Sequence, residues 1–160
     1  MTKPYILCID DQREILAALK KDLSGLEDYF QIDYCESTSE AKELLAQTDT
    51  NGVFTALIIC DHVMPNQNGI DFLTELREDT RFARIPAILL TGLATYQDTI
   101  NAINDAGIQA YIEKPWNKTE LLKYAQKLYS RSIVNSGLDY RSFLPVLDQG
   151  ILLNELHQQT

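Results

Sequence analysis

Ala56-Leu57-Ile58-Ile59-Cys60-Asp61-His62-Val63-Met64-Pro65 is the stretch whose reading decides the fold. Five apolar residues, Ala56 to Cys60, run straight into a single aspartate, Pro65 follows, and the loop closes at Gly69. A continuous apolar run bounded by turn signals reads as a strand buried on both faces, the kind found in parallel sheets. In open α/β sheets ligands sit outside the carboxyl ends of the strands, which is where this register puts Asp61. A carboxylate there stands where chemistry is done, or else it caps the following loop. One aspartate does not decide between the two.

The flanking sequence repeats the pattern. Tyr5 to Ile9 is an apolar run ending in Asp10-Asp11, and Ile15, Leu16, Leu19 and Leu23 then recur at helical spacing, with Gly25 near the helix end. Phe30 to Cys35 roughly alternates, as an edge strand does. Ser37 and Glu40 have the spacing of a capping box, opening a helix through Leu44 and Leu45 that stops before Asn51-Gly52. Thr55 to Cys60 is the third strand, and Ile70, Phe72, Leu73 and Leu76 place a third helix. Pro86 to Leu90 is a fourth strand ending in Thr91-Gly92. Thr95 and Asp98 have a second capping-box spacing, for a helix carrying Ile100 and Ile103 and closing at Gly107. Ala110 to Ile112 is a short fifth strand leading to Glu113-Lys114-Pro115. Asn117 and Glu120 cap a last helix with Leu121, Leu122, Ala125 and Leu128. Five βα units in strict alternation predict a parallel sheet with helices on both faces.

Bulk properties narrow the function classes. A chain of 160 residues that is 45% hydrophobic suits one globular domain and a short appendage. Its formal net charge of −9 argues against a nucleic-acid surface. No apolar run approaches the ~18–20 residues of a membrane span. Met1-Thr2-Lys3-Pro4 leads directly into a strand without a signal-peptide pattern, so the expected location is cytoplasmic. Cys8, Cys35 and Cys60 lie inside apolar segments with no CxxC spacing, and read as small buried hydrophobes rather than a disulfide framework or zinc site.

The polar residues at the strand ends are not explained by packing. Asp10 and Asp11 end the first strand, Asp61 the third and Thr91 the fourth, and the fifth leads to Lys114. In a parallel sheet these ends share one edge. Three carboxylates ~4 Å apart repel by a few kcal/mol per pair at an effective dielectric of about 20, which Lys114 alone does not balance. A hard divalent cation offsets it economically, and Mg²⁺ suits two or three carboxylates plus water. With the metal bound, Lys114 and the Thr91 hydroxyl could hold two oxygens of a phosphoryl group, and Asp61 is a competent nucleophile for an aspartyl-phosphate.

Taken together, Cys8-Ile9-Asp10-Asp11, the Asp61…Pro65…Gly69 loop, Thr91-Gly92 and Lys114-Pro115 resemble the receiver domain of two-component response regulators over roughly residues 4 to 131. Each motif alone is weak; their order and placement at strand ends are specific. The resemblance implies a flavodoxin-like doubly wound five-stranded parallel sheet of order 2-1-3-4-5, flanked by five helices. It implies Asp61 as phosphoacceptor from a histidine kinase or phosphotransfer protein. It also implies Mg²⁺ held by Asp10, Asp11, Asp61 and the backbone carbonyl of Val63. Thr91 and Tyr111 would be switch residues, remodelling the face of the fourth helix, fifth strand and fifth helix for a downstream protein, an output domain or a second copy of the chain. Gly92 departs mildly from the alanine common there. Asn104 to Trp116 is most similar to receivers attached to cyclic-dinucleotide phosphodiesterase or histidine-kinase outputs, and no such output is present here.

On this reading residues 1–131 form the receiver domain, and 132–160 are a C-terminal extension or the start of a missing output region. Asn135-Ser136-Gly137 reads as a linker, Ile151 to Leu156 as a short helix, and the tail is expected to pack on its own domain or on a partner. The protein would be no enzyme beyond assisting its own phosphorylation and dephosphorylation. His62 is expected to point away from the phosphoryl site, because neighbours on an extended segment alternate. His157 reads as a surface residue, and Trp116 as a packing residue. Three other classes compete. A haloacid-dehalogenase-type phosphatase needs Asp-x-Asp after the first strand, where this chain has Asp10-Asp11-Gln12-Arg13. A flavin carrier needs a Ser/Thr/Gly-rich phosphate loop where two aspartates stand. A degenerate receiver that only binds partners would lack part of the site set, which is complete.

Overall fold

The computed structural model describes residues 2–92, 104 and 106–158. Five strands, β1 (Tyr5–Ile9), β2 (Gln31–Cys35), β3 (Thr55–Asp61), β4 (Ala87–Thr91) and β5 (Ala110–Glu113), form one sheet of order β2-β1-β3-β4-β5, as expected. All four pairings are parallel. Among the described residues, α1 (Arg13–Leu23), α2 (Thr38–Thr50), α3 (Gly69–Arg77), α4 (Lys118–Asn135) and α5 (Gln149–Gln158) are the α-helices bounded in full. The helix expected from Thr95 to Gly107, with its Thr95–Asp98 cap, lies largely outside the described residues; Asn104 and Ala106 are helical.

Strand parity sorts the core into two halves. Ile6, Cys8, Leu57, Ile59, Ile88 and Leu90 pack on α1 and α4. Leu7, Ile9, Ile58, Cys60, Ala87 and Leu89 pack on α2 and α3. Each central strand is apolar on both faces because helices cover both, which is why β3 reads as an unbroken run. The three thiols are buried and unpaired.

Helix starts follow local chemistry. Ser37 Oγ accepts from the Glu40 N–H at 3.1 Å, while Glu40 Oε2 accepts from the N–H of Glu36 at 3.0 Å rather than from that of Ser37. Asn117 Oδ1 accepts from the Glu120 N–H at 3.1 Å. Asn68 caps α3 in the same way, accepting from the Asp71 N–H at 2.8 Å.

The last helix outruns its predicted core, continuing to Asn135 before turning at Gly137, whose φ of 85° suits glycine. Beyond it a 3₁₀ segment (Tyr140–Val146) and α5 fold back on the sheet domain. Phe143, Leu147 and Leu152 join the α1/α4 half of the core. The Phe143 ring centroid lies 5.8 Å from that of Phe30. Polar contacts fix this tail: Glu155, though buried, accepts from Arg131 Nε and from Asn135 Nδ2, each at 3.1 Å. The Asp148 N–H donates to Ser130 Oγ at 2.9 Å, and the Tyr129 hydroxyl donates to the Val146 carbonyl.

Candidate functional site

Parity also builds the site. Asp10 follows β1, Asp61 ends β3 and Lys114 follows β5, each two residues beyond a side chain on the α1/α4 face (Cys8, Ile59, Ile112). The strand ends therefore present them on one side of the sheet edge. Ligand oxygens of Asp10, Asp11 and Asp61 lie within 4.8 Å of one another. Asp10 and Asp61 are buried, and Asp11 is exposed. Lys114 Nζ bridges the two buried acids, 2.8 Å from Asp10 Oδ2 and 2.9 Å from Asp61 Oδ1. The other Asp10 oxygen accepts from the Gln12 N–H at 2.9 Å, so Asp10 also caps the loop that leads into α1.

Three carboxylates against one ammonium leave the cluster negative. Burial raises the Asp61 carboxyl pKa above its ordinary value; the Lys114 hydrogen bond opposes that, and the Asp10 charge adds to it. Burial works against the Lys114 charge, but its hydrogen bonds to Asp10 and Asp61, with their charges, prevail and raise its pKa. A hard dication with oxygen ligands fits this donor set: the acids are already gathered, and their excess charge is uncompensated.

Thr91 is buried at the end of β4, and its carbonyl accepts from the Lys114 N–H at 2.8 Å, tying the ends of β4 and β5 together. The Lys114-Pro115 peptide is cis. Val63 is 71% exposed, two residues past Asp61. Tyr111 is half-buried on β5 against the α2/α3 half of the core. His62 is half-buried, with Nδ1 buried and lacking a hydrogen-bond partner. His157 is exposed.

Two supporting residues have weak sequence signals. Trp116 Nε1 donates to Asp22 Oδ2 at 2.8 Å, fastening the loop after Lys114 to α1; nothing local to Asp22 marks it for this. Gly69 is the second. A Cβ there would sit 2.1 Å from the Asp61 carbonyl oxygen, and the Gly69 N–H donates to the His62 carbonyl at 2.8 Å. The start of α3 is thus pressed onto the backbone that carries Asp61. A glycine at the close of the loop is the visible signal; the contact is not.

Comparison with known proteins agrees with this geometry. The sequence model of the response regulator receiver domain matches residues 6–126. The chain is 30% identical over 149 residues to the hydrogenase transcriptional regulatory protein HoxA of Cupriavidus necator, covering 90% of this chain but 29% of that protein. It thus spans under a third of HoxA. It is 35% identical over 112 residues to the chemotaxis protein CheY1 of Helicobacter pylori strain 26695, covering 69% of this chain and 85% of that one. The signal receiver domain of an HD domain-containing protein from Pseudomonas fluorescens Pf-5 superposes with a TM-score of 0.71 at 28% identity, over 81% of this chain and 97% of the other.

Proposed function

The chain belongs to the response regulator receiver family, and from that premise we propose that it is switched by phosphorylation of Asp61. The observation that carries the proposal is the cluster itself: three carboxylates within 4.8 Å, with Lys114 bridging two of them at the carboxyl edge of the sheet. Packing alone does not gather like charges; a site that binds a cation and handles a phosphoryl group does.

In this reading an Asp61 carboxylate oxygen attacks the phosphorus of a phosphohistidine on a histidine kinase or phosphotransfer protein. The P–N bond breaks as the P–O bond forms, and the imidazole leaves with the electron pair. Asp10, Asp11, Asp61 and the Val63 carbonyl would hold Mg²⁺, which supplies charge neutralisation at the transferring group. Lys114 gives up a carboxylate contact to meet a phosphoryl oxygen, and the Thr91 hydroxyl meets another. Water later hydrolyses the acyl phosphate, so the chemistry is confined to the protein's own side chain and no separate substrate is turned over. Thr91 and Tyr111 relay the change to the surface around β5 and α4, which binds a downstream protein, an output domain or a second copy of the chain. Among the described residues no helix is long and apolar enough to cross a membrane, and we assign the protein to the cytoplasm with its kinase's catalytic region.

Intact-mass analysis after incubation with acetyl phosphate tests the reading. One phosphoryl adduct is expected with Mg²⁺, none with chelator, and none in Asp61→Asn, which removes the charge at nearly constant volume. An adduct of equal stoichiometry in Asp61→Asn refutes the assignment of Asp61. No adduct in the wild type under any condition refutes the chemistry.

A further inference from the structure

The sheet edge opposite Asp61 carries a cleft of about 820 Å³, bounded by the turn before β3, the loop before β4 and the C-terminal half of α4. Val53, Phe54, Ile85, Pro86 and Leu128 give it apolar walls. Three arginines, Arg81, Arg84 and Arg131, line it beside one carboxylate, Asp49. In a chain of net charge −9 this is a local reversal of sign.

The three guanidiniums are differently engaged. Arg81 is committed to the fold: Nε and Nη2 donate to Asp79 at 3.1 and 2.8 Å, and the guanidinium lies 4.6 Å over the Phe82 ring. Arg131 is held by one edge only. Its Nε donates to Glu155 Oε1 at 3.1 Å, and its two terminal nitrogens have no acceptor among the described residues. The Arg84 side chain makes no hydrogen bond or ion pair with any described residue. Charged donors with no acceptor among the described residues, lining a cleft beside apolar walls, complement a molecule that carries an anionic group on an apolar body. The volume lies within the roughly 300–1,000 Å³ of small-molecule pockets.

We propose that this cleft binds a small organic anion, its apolar or aromatic body against Val53, Phe54 and Pro86 and its phosphate, sulfonate or carboxylate on Arg84 and the free edge of Arg131. Glu155 is then a positioning residue. It fixes the Arg131 guanidinium from the tail helix α5, so the docked tail is part of the site's frame. The cleft lies on the far side of the sheet from the phosphorylation chemistry and does not depend on it.

The test uses two fluorescent probes of the same ring body, with circular dichroism as the check on folding. 8-Anilinonaphthalene-1-sulfonate carries the anion; N-phenyl-1-naphthylamine does not. The 160-residue chain is expected to bind the sulfonate at one saturable site. Arg84→Ala should weaken that binding about 10-fold, the size expected for one charge-assisted hydrogen-bonded contact, and leave the neutral probe within about 2-fold. Lys20→Ala, an exposed cation of α1, should change neither. Glu155→Gln, which keeps the side chain's shape but weakens its hold on Arg131, should weaken the sulfonate and not the neutral probe. Unsaturable or multiple-site binding of the sulfonate overturns the proposal. So does equal affinity in wild type and Arg84→Ala, or an equal loss in Lys20→Ala.

Discussion

Replacing Gly69 by alanine should destabilise the protein and loosen its cation site together. The added Cβ would lie 2.1 Å from the Asp61 carbonyl oxygen, 3.0 Å from the Asp61 carbonyl carbon and 3.1 Å from the His62 Cα. All three are backbone atoms, so no side chain can rotate away. Relief requires α3 and the end of β3 to part by about 1 Å, in a close-packed region where overpacking costs about 1–3 kcal/mol. That movement breaks or weakens the 2.8 Å hydrogen bond from the Gly69 N–H to the His62 carbonyl, a further ~1 kcal/mol. Gly69 has no positive φ and opens a helix, so alanine itself should restore about 0.5–1 kcal/mol. The net loss is about 1–3.5 kcal/mol. With a urea m-value of about 2 kcal/mol/M, the unfolding midpoint falls by about 1 M at unchanged m. Because the displaced atoms carry Asp61, Mg²⁺ affinity should fall as well. Asn68→Ala is the control. It removes the α3 cap at a cost of ~1 kcal/mol without touching Asp61, and should leave Mg²⁺ affinity alone. A Gly69→Ala protein as stable as the wild type, or more stable, would refute the close-contact reasoning.

Trp116, the single tryptophan, is tied to Asp22 two residues after Lys114, so Mg²⁺ should produce a saturable change in its fluorescence. Asp10→Asn should weaken that response at least 10-fold, and a response unaltered in that variant would place the cation elsewhere. Phe143→Ala should cost about 3 kcal/mol in urea unfolding, as a buried aromatic does, whereas Leu153→Ala, 69% exposed, should stay within about 0.5 kcal/mol. Equal small effects would mean that the tail adds nothing to the core. Burial pushes the Cys35 thiol from its ordinary 9.0 up to about 12. From about pH 9 to 12 the unfolded chain loses this proton while the folded chain keeps it, so stability falls with rising pH by up to ~1.4 kcal/mol per unit from this thiol alone. Cys35→Ala should flatten the alkaline limb of stability against pH, and an unchanged limb would contradict the burial argument.

What the sequence shows most clearly is what depends on near neighbours. The β3 run reads as a buried strand because helices cover both of its faces. Ser37 and Asn117 each accept a backbone N–H three residues on, a relation a linear sequence displays directly. Asp10, Asp61 and Lys114 could be grouped because parallel strands share an edge, a property of topology rather than of side-chain detail. What stayed hidden depends on tertiary approach. Arg77 donates to the carbonyls of Ala106 and Ala83, 29 and 6 residues away, and no local pattern announces a guanidinium used as a strut. In the tail, Ile151 to Leu156 reads as a short helix and lies within α5, whereas the 3₁₀ segment before it shows no helical period, because Pro145 sits inside it and the apolar residues around it face a core assembled by Phe30 and Tyr129.

Lys114 is the point at which these levels meet. Its ammonium touches acids from two strands, β1 and β3, while its own backbone N–H holds the carbonyl of a third, β4. Two residues later, Trp116 anchors the same loop to α1. Any change in charge at Asp61 therefore alters a contact whose other end is fixed at several places in the frame. The sheet does not need to deform for the change to travel. In the proposed function the ammonium would exchange one oxygen partner for another, and the strands that meet at Lys114, with Thr91 and Tyr111 on them, would receive the difference. Close packing around β4 and β5 favours a discrete transfer over a gradual one, because a filled interior deforms little. The excess of carboxylates over cations in the site favours a dication as the new ligand. A cluster already neutral would have little to gain from a new ligand, whereas this one is held together by a single ammonium shared between two buried acids.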